Sequence, residues 1–239
     1  MMTLAGLGPG AVDQLSQVVL REMKRADVIY IRTRIHPIVE ELESLGFQFF
    51  SFDWLYESAD SFDELYRQIA EELTNKALRK DVFYAVPGHP LVGERSVELL
   101  LKRTAELNIP VRILPGISFV EPVLEAVGHS LSSGLKILDA LSTGQICPDP
   151  DVPNIVYQLH DRFVASEVKL ALLECYPPDF QIALIRAAGM PNAQEVVWLP
   201  LHDLDRRDDF DHLTTLWIPA KNHVGSADHC ESAPNSPQG

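Results

Sequence analysis

The chain has 239 residues, 46% of them hydrophobic and 23% charged, enough to bury one large core or two smaller ones. Its 34 acidic and 20 basic residues give a formal charge of −14, the wrong sign for a protein built around a nucleic-acid surface. No apolar run approaches the ~20 residues of a membrane helix, no basic start precedes an apolar leader, and Cys147, Cys175 and Cys230 form no CxxC pair, so a cytoplasmic protein is expected.

Thr3–Leu7 is short and apolar and runs into Gly8-Pro9-Gly10. Leu15, Val18, Val19 and Met23 then repeat at helical spacing, with Asp13 as the expected N-cap. Val28–Ile31 reads as a buried parallel strand. Pro37 suits the first turn of a helix carrying Ile38, Leu42 and Leu45, and Gly46 suits its C′ position. Phe47–Phe52 reads as the next strand. Ser61-x-x-Glu64 is a capping box ahead of an apolar face formed by Phe62, Leu65, Tyr66, Ile69 and Leu73. Val82–Val86 and Val111–Leu114 are strands, separated by a helix marked by Val97, Leu100, Leu101 and Leu107. Strands alternating with helices argue for an α/β layer with a largely parallel sheet.

The second half begins with a helix over Phe119–Val127, then turn chemistry around Gly128–Gly134 and a proline-rich loop over Cys147–Pro153. Strands follow at Asn154–Leu159, Phe180–Arg186, Gln194–Leu199 and Thr214–Ile218, with a helix near Phe163–Glu174. Some antiparallel pairing is expected here. The aspartate-rich stretch His202–His212 reads as a solvated helix end or loop. The expected division is an N-terminal domain over 1–118, a C-terminal domain over 119–220 and a disordered tail over 221–239.

Three glycine-containing loops follow three predicted strands, where a parallel sheet places its ligands. They are Gly6-Leu7-Gly8-Pro9-Gly10, Pro87-Gly88-His89-Pro90 and Pro115-Gly116-Ile117-Ser118. A dinucleotide fingerprint does not fit. Gly10 falls one position too early for GxGxxG, Pro9 removes an amide, and the second strand leads to Arg32 rather than an acid. No phosphate loop of the form GxxxxGK[ST] occurs.

Together with Ala85–Glu94 (AVPGHPLVGE) and Leu114–Phe119 (LPGISF), these loops resemble the tetrapyrrole (corrin/porphyrin) methylase superfamily. Within it, Arg32–Pro37, Ser51–Glu57, Phe62–Tyr66 and Leu213–Pro219 resemble the YabN-type methylase-like domain found N-terminal to MazG nucleotide pyrophosphohydrolases. The resemblance covers residues 2 to 220. It implies a two-domain fold with a mostly parallel N-terminal sheet and a mixed C-terminal sheet, a homodimer, and S-adenosylmethionine (SAM) held between the domains. It also implies cofactor contacts from Leu7, Gly8, Pro9 and Gly10, from Pro87, Gly88, His89 and Val92, and from Ser118 and Phe119. Leu159, Met190 and Thr215 are looser assignments. Most porphyrin-modifying members carry Gly-Asp-Pro where this chain has Gly88-His89-Pro90.

Gly-His-Pro also occurs in the borosin peptide N-methyltransferases of the same superfamily. These have two tyrosines ten residues apart flanking an arginine, and Tyr56 and Tyr66 match that spacing while Phe62 stands at the arginine position. Tyr56 is expected in a loop, and Tyr56 or His36 is the candidate base. Arg32, Arg34 and Asp53 are the candidate substrate-binding residues, since two arginines can clamp a carboxylate or phosphate. The histidines show no zinc spacing, so no metal is assigned. Glu71-Glu72 runs into Leu-Thr-Asn-Lys without another acidic turn, so MazG-type hydrolysis is not expected of this chain. A methyltransferase acting on a small molecule or peptide is one expectation. A SAM- or nucleotide-binding partner of a MazG-type enzyme is the other.

Overall fold

Side-chain alternation in the first strand sets the architecture. In β1 (Met2–Gly6), Met2 and Leu4 enter one apolar cluster and Ala5 enters another. In β4 (Val82–Val86), Val82, Tyr84 and Val86 join the first cluster while Phe83 and Ala85 join the second. Successive side chains leave opposite faces of a strand, so both faces of this sheet are buried. The helices α4 (Phe62–Ala77) and α5 (Arg95–Glu106) cover the first face through Leu65, Ile69, Leu73, Val97 and Leu100. The helices α1 (Gln17–Met23) and α2 (Ile38–Ser44) cover the other through Val19, Met23, Ile38 and Leu42. With β2 (Ile29–Ile31), β3 (Phe49–Ser51) and β5 (Val111–Leu114), the strands run β3-β2-β4-β1-β5, and the registered pairs are all parallel.

The structure, a computed structural model, describes residues 1–221 apart from Asp60, Ser133, 143–145 and Pro191. The expected tail falls outside the described residues except for Lys221, whose amide donates to Pro150 O at 2.9 Å. Compact units are formed by Met1–Ser130 with Ile185–Val196, and by Leu131–Leu184 with the described residues from Val197. The segment Ile185–Val196 thus belongs with the first unit despite its place late in the sequence.

A second sheet orders β6 (Lys136–Asp139), β7 (Asn154–Tyr157), β10 (Thr214–Ile218), β8 (Gln181–Arg186) and β9 (Glu195–Pro200) as β6-β7-β10-β8-β9. It is mixed: β6 and β7 are parallel, β7 and β10 antiparallel. In the second unit, α7 (Arg162–Leu173) buries Ala165, Val168 and Leu172 against Val156, Leu184 and Leu216. The aspartate-rich stretch starts as a 3-10 turn whose Leu201 and Leu204 are fully buried, so only its polar side faces water.

Three local expectations are corrected. Ser16, not Asp13, caps α1, and Asp13 sits in a preceding 3-10 turn over Val12–Gln14. Tyr56 lies on a six-residue helix, α3 (Asp53–Ser58), and not in a loop. The strand β6 was not expected. The remaining first-unit helix, α6 (Val120–Val127), ends on Gly128 in the left-handed region, as the sequence predicts.

Candidate functional site

The three glycine loops leave the C-terminal ends of β1, β4 and β5, and they meet backbone to backbone. Gly8 and Gly88 form an antiparallel bridge, with Gly8 N donating to Gly88 O at 3.1 Å and Gly88 N to Gly8 O at 2.8 Å. A Cβ on Gly6 would lie 2.4 Å from Gly88 O and 2.7 Å from Gly116 N. A Cβ on Gly116 would lie 2.3 Å from Gly88 O. Those neighbours are backbone atoms that cannot move aside, so only glycine allows the loops to converge. Beside Gly88 the space is open instead, its built Cβ coming no nearer than 3.9 Å to Ser118 Cα.

Around this junction the expected contact residues divide. Leu7 is buried in the core below the loop, while Pro9, Val92 and Phe119 are half-buried at the surface. His89 Nδ1 accepts from Leu91 N at 3.0 Å, which places the ring proton on Nε2. Ser118 is buried and its hydroxyl donates to Glu121, whose Oε2 also accepts from Ser118 N at 3.0 Å. That hydroxyl also accepts from Val120 N at 3.1 Å, so it holds the start of α6. Met190 belongs to the first unit and packs on Gly10: a Cβ there would fall 2.1 Å from the Met190 sulfur. Leu159 and Thr215 lie in the second unit, Leu159 in its core and Thr215 paired with Tyr157.

The candidate substrate residues do not form a two-arginine clamp. Arg34 turns toward Glu43 and lies over the Phe49 ring, 5.1 Å from its centroid. Asp53 fastens the loop after β2, accepting from Thr33 Oγ1 at 2.6 Å and from Arg34 N at 2.9 Å, and these bonds help hold its carboxyl below the usual range. His36 is buried at the entry to α2. Arg32 behaves differently. Its amide donates to Ala85 O on β4, and its Nη1 pairs at 3.1 Å with Glu94, a carboxylate only 3% exposed. Glu94 Oε1 accepts from Ser96 Oγ at 2.7 Å, and Ser96 Oγ lies 3.0 Å from the Tyr84 hydroxyl. Arg32 Nε is buried with no hydrogen-bond partner among the described residues.

Tyr56 and Tyr66 share this electrostatic neighbourhood with Arg32, so an arginine does stand by the two tyrosines, supplied by β2 rather than by position 62. Phe62 instead bridges the two rings, 6.4 Å from Tyr56 and 6.3 Å from Tyr66 between centroids. Burial pushes the Tyr56 phenol well above its usual range, and a hydrogen bond to Tyr66 adds to this, so at neutral pH it is a hydrogen-bond donor. Sequence reasoning missed Glu94, Ser96 and Tyr84. Nothing near Glu94 in the chain marks it as the partner of a residue on another strand.

The sequence profile of the family Tetrapyrrole (Corrin/Porphyrin) Methylases matches residues 1–205. The chain belongs to this family. A relative, the "Uncharacterized protein YabN" of Bacillus subtilis (strain 168), is 37% identical over 220 residues. That alignment covers 91% of this chain but 44% of the relative, so the chain spans less than half of that protein's length. Solved structures of similar fold include a uroporphyrin-III-C-methyltransferase from Thermus thermophilus, at TM-score 0.67 and 19% identity, covering 92% of this chain and 94% of that one. Diphthine synthase gives TM-score 0.67 at 18% identity, covering 92% and 90% of the two chains. The methyltransferase CobJ gives 0.63 at 18% identity, covering 92% and 93%. At these identities the likeness concerns the fold.

The loops of this methylase-family chain leave an open face beside their backbone junction. Side chains are absent where the three backbones converge, and the open side of Gly88 is bordered by Ser118 and by Ile117 O. Backbone polar groups and that open face are what the loops present to a ligand.

Proposed function

We propose that the chain is a SAM-dependent methyltransferase whose cofactor is held by the glycine loops after β1, β4 and β5. The observation that carries this reading is the convergence of Gly6, Gly88 and Gly116 at a spacing that excludes any Cβ at two of them. When bound, SAM supplies an electrophilic methyl carbon that an aligned lone pair can displace. The chain's own contribution is alignment and shielding. The Gly8–Gly88 bridge fixes two loops against each other, and Glu121 fixes the third by tying Ser118 to α6. His89 offers a fixed tautomer with Nε2–H as donor. Tyr56 stays protonated with its hydrogen bond going to Tyr66, so it is not the base, which leaves His36 as the candidate.

Thermal unfolding with and without ligand tests the reading. S-adenosylhomocysteine (SAH) should raise the midpoint in a concentration-dependent way, by linkage, while ATP and NAD should leave it unchanged. Equal shifts with all three, or none with SAH, would contradict a methylase-type cofactor site.

A further inference from the structure

Three arginines meet at one carboxylate on the edge of the first sheet opposite the glycine loops. Glu22 lies on α1, and its Oε1 accepts from Arg21 Nε and from Arg25 Nη1, both at 3.3 Å. Its Oε2 accepts from Arg112 Nη1 at 3.2 Å, and Arg112 is the second residue of β5. The helix α1 ends just before β2 begins, and the parallel strands all begin on one edge. The cluster is therefore at the start of the strands, while the loops after β1, β4 and β5 leave from their ends. The chain carries a formal charge of −14, yet here three guanidinium groups face one carboxylate, a local formal charge of +2. Lys24 and Asp27, the next charged residues along the chain, are exposed, make no ion pair among the described residues and offset each other.

Stability does not account for this arrangement. Exposed ion pairs return little, and the two cations in excess repel. The arginine side chains are 57%, 68% and 44% exposed, and the contact with Glu22 is the one each makes among the described residues. A guanidinium has five N–H donors, so most of theirs face water. Geometry and charge then select the anion. A second carboxylate brings one charge and two oxygens, and would leave the cluster at +1. A phosphate group near neutral pH carries close to two negative charges and three acceptor oxygens, one for each arginine fork. The donors also come from two elements that the core holds in place: α1 through Val19 and Met23, β5 through Leu114. We propose that Arg21, Arg25 and Arg112 form a binding site for the phosphate group of a small molecule. The site is separate from the glycine loops and does not rest on the methyltransferase reading.

The arginine Nε–Hε resonances of the uniformly nitrogen-15-labelled chain read this contact directly. The protein would be titrated with inorganic phosphate, with methyl phosphate and with acetate, at constant ionic strength set by sodium chloride. At least one of the two phosphates should shift the Arg21, Arg25 and Arg112 signals saturably, and acetate should bind at least tenfold more weakly. The tighter phosphate then tells whether the site takes the free or the esterified form. Arg112→Gln removes one signal, which confirms its assignment, and should weaken phosphate binding about tenfold, the loss of one charge-assisted hydrogen bond. Arg21→Gln, on the exposed side of α1, gives the same reading if that variant does not fold. Shifts that never saturate, shifts that follow acetate as tightly as phosphate, or no shift at all would overturn the site. Calorimetry with SAH on the same samples keeps the two claims apart. SAH affinity should be the same in wild type and Arg112→Gln, and either claim can fail while the other stands.

Discussion

At the scale of single residues, glycine loops and a buried ion pair make opposite demands, and each gives a sharp test. Gly116→Ala drives a Cβ to 2.3 Å from Gly88 O, with backbone on every side. It should cost about 3 kcal/mol, the upper end of overpacking, read as a lower urea midpoint. Gly46→Ala is the control: its φ of +87° strains an alanine but nothing lies within 4 Å, so the loss should be about 1 kcal/mol. Comparable losses would mean that loop convergence is not what requires glycine. Glu94→Gln leaves the Arg32 charge buried without its counter-charge and should cost about 3 kcal/mol in the same assay. The glycine loops were legible in the sequence because glycine beside proline after a strand is a local signal. The Arg32–Glu94 pair was not, because its two halves follow different strands and meet only when β2 pairs with β4. For the same reason the arginine beside the two tyrosines was sought at Phe62, along the chain, when the sheet delivers Arg32 from elsewhere.

Elements were read well where their period is long and their caps are chemical. Ser61 accepts from Glu64 N at the start of α4, the capping box read from the sequence, while at the start of α7 Asp161, which that reading did not name, accepts from Val164 N at 2.9 Å. Asp161→Ala should lower stability by about 1 kcal/mol, seen as faster amide exchange in the first turn of α7. Short elements escaped. The helix α3 spans Asp53–Ser58, fewer than two turns, and its residues also continue the aromatic pattern of β3. The strand β6 has only Lys136–Asp139 and is defined by parallel pairing to β7, which no local pattern announces. Polar contacts at Asp205 help tie α7 to the 3-10 turn after β9. Lys169 donates to Asp205 at 2.5 Å and Ser166 donates at 3.0 Å, and the Lys169 bond is the main reason the Asp205 carboxyl is held below its usual value. A depressed folded-state pKa contributes stability above the unfolded value, near ~3.9, and that stability is lost as pH falls through the folded value. Asp205→Asn should therefore cost stability at neutral pH and lose less than wild type on acidification below about pH 4, measured by urea unfolding across pH. An unchanged acid limb would show that the pair is too exposed to matter.

For the molecule as a whole, the sheet with two covered faces was predictable from alternating strand and helix patterns, and its parallel order β3-β2-β4-β1-β5 places every strand's C-terminal end on one edge. That edge carries the glycine loops, Arg32 and Glu94. The compact units are less simply drawn, because Ile185–Val196 returns to the first unit and brings Met190 onto Gly10. Hydrophobic periodicity marks β8 and β9 but says nothing about which core their connecting turn joins. The central claim is that this edge of the sheet holds SAM. Isothermal titration of the purified chain with SAH, after checking for cofactor carried through purification, tests it most directly. Saturable binding of one SAH per chain, abolished in a folded Gly116→Ala variant, is the predicted result. No heat from cofactor-free, folded protein would contradict the claim.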